Sequence, residues 1–162
     1  MAAFLTRTGF QATTEKEDLK FYGRTRRKGN DMDLGEKYQH ADWKSEKHVP
    51  VIDCPGEVNS GEVFDIKVSI GKEIAHPNTT EHHIRWVTIY FAPKDEKFIY
   101  EIGRFEFSAH GESAAGANEG PVYTHHAVTA QAMLKKPGTL FATSLCNIHG
   151  LWESQMEIEV KG

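Results

Sequence analysis

With only two cysteines in 162 residues, Cys54 and Cys146, the chain has too few for a disulfide framework. The pair leaves three readings open: one disulfide, two inert thiols, or a metal ligand and a bystander. A reducing compartment favours the last two. No run of apolar residues approaches the length that crosses a bilayer, and MAAFLTRTGF has too short an apolar stretch for a secretory signal. A cytoplasmic location with no membrane partner is the expectation. Positive charge is not in excess either, since the net charge is -4 with 26% charged residues, which excludes the broadly basic balance of a nucleic-acid binder. Any attraction of an anion has to be local. Internal repeats, low-complexity tracts and long amphipathic helices are also missing. A chain of this size buries a core as one domain without covalent staples.

What the sequence has in quantity is histidine. There are nine, and most fall in three short patches, EKHVP, HPNTTEHH and CNIHG. Residues 1–40 stand apart, with dense charge (EKEDLK, RTRRKGND) and scattered apolar positions. Thr14 and Glu17 have the spacing of a capping box and Gly23 can end a helix, so TEKEDLKFYG reads as one or two helical turns in an otherwise flexible extension. An arm that orders against a neighbouring subunit or an electron-transfer partner is the alternative.

From Val49 onward the period is two. VFDIKVSI puts Phe64, Ile66, Val68 and Ile70 on one face and Asp65, Lys67 and Ser69 on the other. HIRWVTIYFA is apolar almost throughout and reads as a central strand ended by Pro93. FIYEIGRFEFSA alternates until its phase slips at Gly103, where a bulge is expected. VYTHHAVTAQAML, TLFATSLC and SQMEIEV follow, and VPVID comes first. Seven short strands at this spacing predict an all-β, immunoglobulin-like antiparallel sandwich over residues 41–162. AHGESAAGANEGP reads as a long surface connection.

Cys146 and His149 point to opposite faces of an extended strand, so one ion could meet both only if the backbone turns after Cys146, and Gly150 makes a turn there credible. Alone, this C-x-x-H reads better as a buried strand end, because cysteine behaves as a small hydrophobe. His76 and His82 are too far apart along an extended chain to share an ion, so the segment has to fold back, with Pro77 and Asn78 supplying turn chemistry. His82 is preferred over His83 by position, leaving His83 behind the site or facing solvent. His48 follows Glu46 and Lys47, which places an oxygen ligand, a cation and an imidazole in succession, a set suited to attracting a small anion and delivering protons. Four histidines and a cysteine are too many for a closed tetrahedral zinc site. A five-coordinate redox iron with one open face fits the count better.

EKHVPVI, HPNTTEHHIRW and SLCNIHGLWE, in this order and with GRFEFSAHGES between them, resemble the superoxide reductases, specifically the one-iron neelaredoxin type of the desulfoferrodoxin family. The resemblance runs from about Asp42 to the C-terminus. It implies a mononuclear iron, cycling between Fe2+ and Fe3+, one per chain, with equatorial imidazoles from His48, His76, His82 and His149 and an axial thiolate from Cys146. It further implies Glu46 as a sixth ligand in the oxidised state and Lys47 over the open face, attracting superoxide. The activity implied is reduction of superoxide to hydrogen peroxide, with electrons from an outside carrier such as rubredoxin. Homo-oligomers are usual in the family, and a homotetramer is expected in preference to a dimer. Two-iron relatives carry a four-cysteine N-terminal module; residues 1–40 contain no cysteine, so that second centre is not expected. Two rivals compete: a cupredoxin-like carrier, for which Met156 lies too far beyond His149, and an immunoglobulin-like binding module, which leaves the histidine clustering to coincidence.

Overall fold

The computed structural model describes residues 32–162. The helical turns expected in TEKEDLKFYG lie outside the described residues. The described part opens with a single 3-10 turn, Leu34–Lys37, where the Asp33 carboxylate accepts from Gly35 N. Eight strands follow: β1 Pro50–Asp53, β2 Glu57–Asn59, β3 Val63–Ile70, β4 Ile84–Pro93, β5 Tyr100–Glu106, β6 Ala127–Met133, β7 Gly138–Cys146 and β8 Gly150–Lys161.

Two sheets face each other, one of three strands in the order β1-β3-β6 and one of five in the order β2-β8-β7-β4-β5. Every pairing is antiparallel except β2 on β8. This is the immunoglobulin-like sandwich expected from the period-two pattern, with seven of its strands at the expected segments. The eighth, β2, is three residues long and carries too little alternation to be legible.

The alternation sorts side chains as the pleat requires. On β3, Phe64, Ile66, Val68 and Ile70 are buried, while Asp65 and Lys67 face water. On β4 and β7, Val87, Ile89, Leu140 and Ala142 are fully buried between the sheets. Each of the larger ones, Val87, Ile89 and Leu140, contributes about 1.5–3 kcal/mol by leaving water. The phase slip at Gly103 is a bulge: Ile89 pairs with Gly103 and Tyr90 with Glu101, which leaves Ile102 without an opposite residue.

A second bulge matters more for the site. Ile84 pairs with Cys146 but Trp86 pairs with Leu145, so Arg85 is extra, and the start of β4 is bent against the end of β7. The same end of the sandwich receives the start of β1, where Pro50 pairs with Ile70 at the end of β3, and the β7–β8 hairpin, where Cys146 pairs with Gly150. All three histidine patches thus reach one end of the molecule through antiparallel pairing.

Candidate metal centre

Asn147, Ile148 and His149 form the turn of the β7–β8 hairpin, and Gly150 closes it at φ 79, a left-handed conformation that glycine adopts without strain. The turn brings His149 back over Cys146, with the His149 amide donating to Cys146 Sγ at 3.4 Å and His149 Nδ1 3.5 Å from the same sulfur. The backbone turn expected after Cys146 is therefore present. β8 begins at Gly150, four residues before the SQMEIEV segment, and Trp152 lies on it with its ring stacked on His48 at 5.0 Å and 14°.

The segment between β3 and β4 folds back through Pro77 and Asn78. His82 N donates to Thr79 Oγ1 at 3.1 Å and Thr79 N to His82 O at 3.0 Å, which closes the loop so that the His76 and His82 rings stand 4.7 Å apart. His48 completes the group from the start of β1. Its ring centroid is 4.8 Å from that of His76 and 4.5 Å from that of His149, while His82 and His149 are 4.8 Å apart. The four imidazoles therefore stand at the corners of a near-square, with His48 and His82 across one diagonal at 6.0 Å. Ligand atoms of His48, His76, His82 and Cys146 all lie within 4.8 Å of one another.

Tautomers are set from outside. His48 Nδ1 is 2.6 Å from Glu46 Oε1 and His76 Nδ1 is 2.6 Å from Pro77 O, so each ring donates outward and turns the Nε2 lone pair inward. The Nε2 atoms of His76 and His82 are buried without a partner. Burial holds His48 and His82 below their ordinary pKa and pushes His76 down to about 3, so the inward nitrogens carry lone pairs at neutral pH. A pocket of inward lone pairs beside a sulfur calls for a soft or borderline cation. Spacing agrees: two nitrogens at right angles, each about 2.1 Å from an ion, lie about 3.0 Å apart, and His48 Nε2 is 2.9 Å from His149 Nδ1. The residues fit a single iron.

Residues 40–155 match the family model described as Desulfoferrodoxin. The chain belongs to the desulfoferrodoxin family. It is 59% identical over 130 residues to neelaredoxin from Megalodesulfovibrio gigas, covering 80% of this chain and 100% of that protein. Superoxide reductase from Pyrococcus furiosus is 52% identical over 126 residues, 78% of this chain and 99% of its own length. The structure of superoxide reductase (neelaredoxin) from Archaeoglobus fulgidus in the reduced form superposes with a TM-score of 0.71 at 50% identity, covering 75% of this chain and 98% of that one. The family carries one iron in this domain, and the four-residue group accommodates it.

Glu46 and Lys47 lie at the rim, both half-buried. Burial pushes the Glu46 carboxyl up, but hydrogen bonds from the His48 ring and amide outweigh it and hold the pKa below the usual carboxylate value. The Lys47 charge is among the smaller influences that depress His48 and His82, after burial. His83 is buried, not solvent-facing: its ring stacks on His110 at 3.7 Å and its Nδ1 lies 2.9 Å from Thr79 O. Both cysteines are free, and Cys54 packs at the edge of the core with its Sγ 3.8 Å from Met156 Sδ. Met156 is thus spent on Cys54, which removes the methionine a cupredoxin-like centre would use.

Three contributors had no legible signal. Gln39, in the expected extension, pairs with β8 through Gln39 N to Leu151 O at 3.0 Å and Glu153 N to Gln39 O at 3.0 Å. Its Nε2 donates to His149 O at 2.6 Å. Asn147 ties the hairpin to the segment that leads into β4, accepting from His83 N at 2.9 Å and donating to Glu81 O at 2.7 Å. Gly71 sits at φ 76 with His76 N directly against it.

Proposed function

We propose that this protein is a superoxide reductase that converts superoxide to hydrogen peroxide in one-electron steps at a single mononuclear iron. The carrying observation is the convergence of His48, His76, His82 and Cys146 on one buried point in a chain of this family. In this reading His48, His76, His82 and His149 are the imidazole ligands and Cys146 is the thiolate ligand. Bound iron supplies the electron and an open position for a small anion, and the thiolate raises electron density on it.

The chain's own groups set the conditions around that position. Lys47 gives a net-negative protein a local positive focus that draws a small anion to the rim. It also holds water there for the two protons the reaction consumes. Glu46 holds the His48 ring through Nδ1; were its carboxylate to reach a bound iron it would have to release that nitrogen, which couples its position to the His48 ring. The amide of His149 donates to the sulfur and tempers its electron release. Trp152 packs flat on His48 and keeps bulk water off that ring.

Among the described residues His48, His76, His82 and Cys146 are the one group that could hold a metal ion, and in this reading the electron source is a small carrier of the rubredoxin kind. Ile148, 57% exposed at the hairpin tip between Asn147 and His149, gives such a carrier an apolar contact beside the site. The catalytic unit is residues 41–162, with residues 1–40 as an extension whose end is tied to β8 and His149 through Gln39, the assembly is a homotetramer rather than a dimer, and the location is cytoplasmic. No helix among the described residues is long and apolar enough to cross a membrane. The test is metal identity and stoichiometry on the purified protein, with superoxide consumption followed with and without a reductant. One iron per chain and reductant-dependent loss of superoxide are expected. Copper, or loss of superoxide that ignores the reductant, would overturn the reading.

A further inference from the structure

The connection between β5 and β6 takes no part in the chemistry above, yet it is built to close. A Cβ on Gly111 (φ 86) would run into the Tyr123 ring, and one on Gly120 into the backbone of Glu112. Gly120 N donates to Gly111 O at 2.9 Å and Gly111 N to Val122 O at 3.1 Å. Asn118 adopts φ 65, a region asparagine tolerates better than most side chains.

From that conformation both ends of the Asn118 amide reach the neighbouring loop. Its Oδ1 accepts from Thr80 N at 2.8 Å, and its Nδ2 donates to Glu81 Oε2 at 2.9 Å. Tyr123 Oη donates back to Asn118 O at 2.8 Å, which holds the asparagine in place. Asn78 reaches the other way, donating to Thr124 O at 3.0 Å with its Oδ1 2.8 Å from His110 Nδ1. Residues 78, 80 and 81 are thereby gripped, and they lie between His76 and His82 in a stretch with no strand or helix.

We propose that the β5–β6 loop is a clasp that sets the separation of His76 and His82, with Asn118 as its positioning residue for the metal site. The proposal rests on the ligand assignment above. A loop carrying two ligands without ladder hydrogen bonds has to lose its conformational freedom somewhere, and ligands held within about 0.5 Å of the productive geometry need a supporting shell. Asn118 supplies that restraint without touching the ion.

The test uses iron-loaded protein and three variants: Asn118→Gly, which keeps the left-handed backbone and loses the amide, Glu81→Ala, which removes its acceptor, and Glu81→Gln, which retains one. Release of ferrous iron to a chelator, the visible absorption of the ferric form and the melting temperature of the iron-free protein are measured on each. Asn118→Gly and Glu81→Ala should release iron about 10–100-fold faster and shift the ferric absorption, while Glu81→Gln stays near wild type. A purely structural role would lower the melting temperature and leave release and spectrum unchanged, and that result would overturn the proposal. Wild-type protein that holds no iron would instead remove the ligand assignment, and the clasp with it.

Discussion

His48 Nε2 and His149 Nδ1 stand 2.9 Å apart across a separation of 101 residues. Two imidazole nitrogens at that distance either share a proton or share a cation, because two bare lone pairs repel. The His48 ring is fixed by Glu46 and the Trp152 face, and the His149 backbone by its hairpin and by Gln39, with the His149 ring edge also against Cys146 Sγ. The site is therefore held open for an ion before the ion arrives. Ferrous iron added anaerobically to stripped protein should raise the midpoint of thermal unfolding, with a gain of about 4 kcal/mol at a free concentration about a thousandfold above the dissociation constant. A melting curve that ignores added iron would contradict a preformed site.

Cys146 is 1% exposed and receives the His149 amide, so its sulfur has no role at the surface. Cys146→Ser keeps the size and replaces a soft donor with a weak one. It should lose superoxide reduction and the thiolate charge-transfer absorption while retaining the fold by circular dichroism. Cys54→Ser, at the edge of the core beside Met156, should keep both iron and activity. An active Cys146→Ser protein would take the thiolate out of the mechanism.

Lys47 acts through its field, and fields are screened. Lys47→Ala should slow the second-order reaction with superoxide about tenfold at low ionic strength. The difference should shrink as salt approaches about 1 M, where the Debye length is about 3 Å. Pulse radiolysis across a salt series measures this directly. A deficit that stays constant with salt would assign Lys47 to proton delivery instead of attraction.

The strands were legible because each side chain on β3 reports its own face through alternation, while β4 announces itself as a continuous apolar run ended by Pro93, the mark of a strand buried in the middle of a sheet. β2 was not, since three residues cannot establish a period, and β8 began early because Gly150 reads as a turn although it is also the first ladder residue. The site was legible in a different way. No spacing rule brings His48 to His149; the count and kind of donors suggested one centre and the family resemblance assigned each ligand, and the physical reason is the antiparallel return of β1, β3, β4, β7 and β8 to one end. Gln39, Asn118 and Gly71 stayed silent because what they do depends on the residue opposite them, which a linear sequence does not carry.

The iron-free protein should be acid-sensitive through its buried histidines. Burial lowers His126 from 6.5 to about 4, and His76 from 6.5 to about 3. The unfolded chain binds these protons first, so the stability the neutral rings contribute is complete above about pH 6.5 and is lost as pH falls towards the folded values. Each ring accounts for about 2 kcal/mol between pH 7 and pH 5. Urea unfolding of the iron-free protein at the two pH values checks this, and His126→Asn should remove that ring's share of the slope, about 2 kcal/mol. Equal stability at both would show that these rings are not held neutral.

Gly71 gives the sharpest single-site test of how the fold holds the centre. It follows β3 at φ 76, and a Cβ there would lie 2.5 Å from His76 N and 3.2 Å from Ile74 O. Both neighbours are backbone, so neither can rotate away, and the left-handed conformation is itself unfavourable for alanine by about 1 kcal/mol. Gly71→Ala must therefore push the His76 backbone outward or unwind the end of β3, where Ile70 N donates to His126 O at 3.1 Å. Either response withdraws one imidazole from the square. The variant should lose about 2 kcal/mol of stability and bind iron about 10–100-fold more weakly, with an altered ferric spectrum. Gly61→Ala serves as the control, because it shares a left-handed φ of 78 but has open space around the added carbon. If both substitutions weaken iron binding equally, backbone strain alone is responsible and the approach to His76 is not; if only Gly71→Ala does, the packing of this one glycine against a histidine amide sets the geometry of the metal centre.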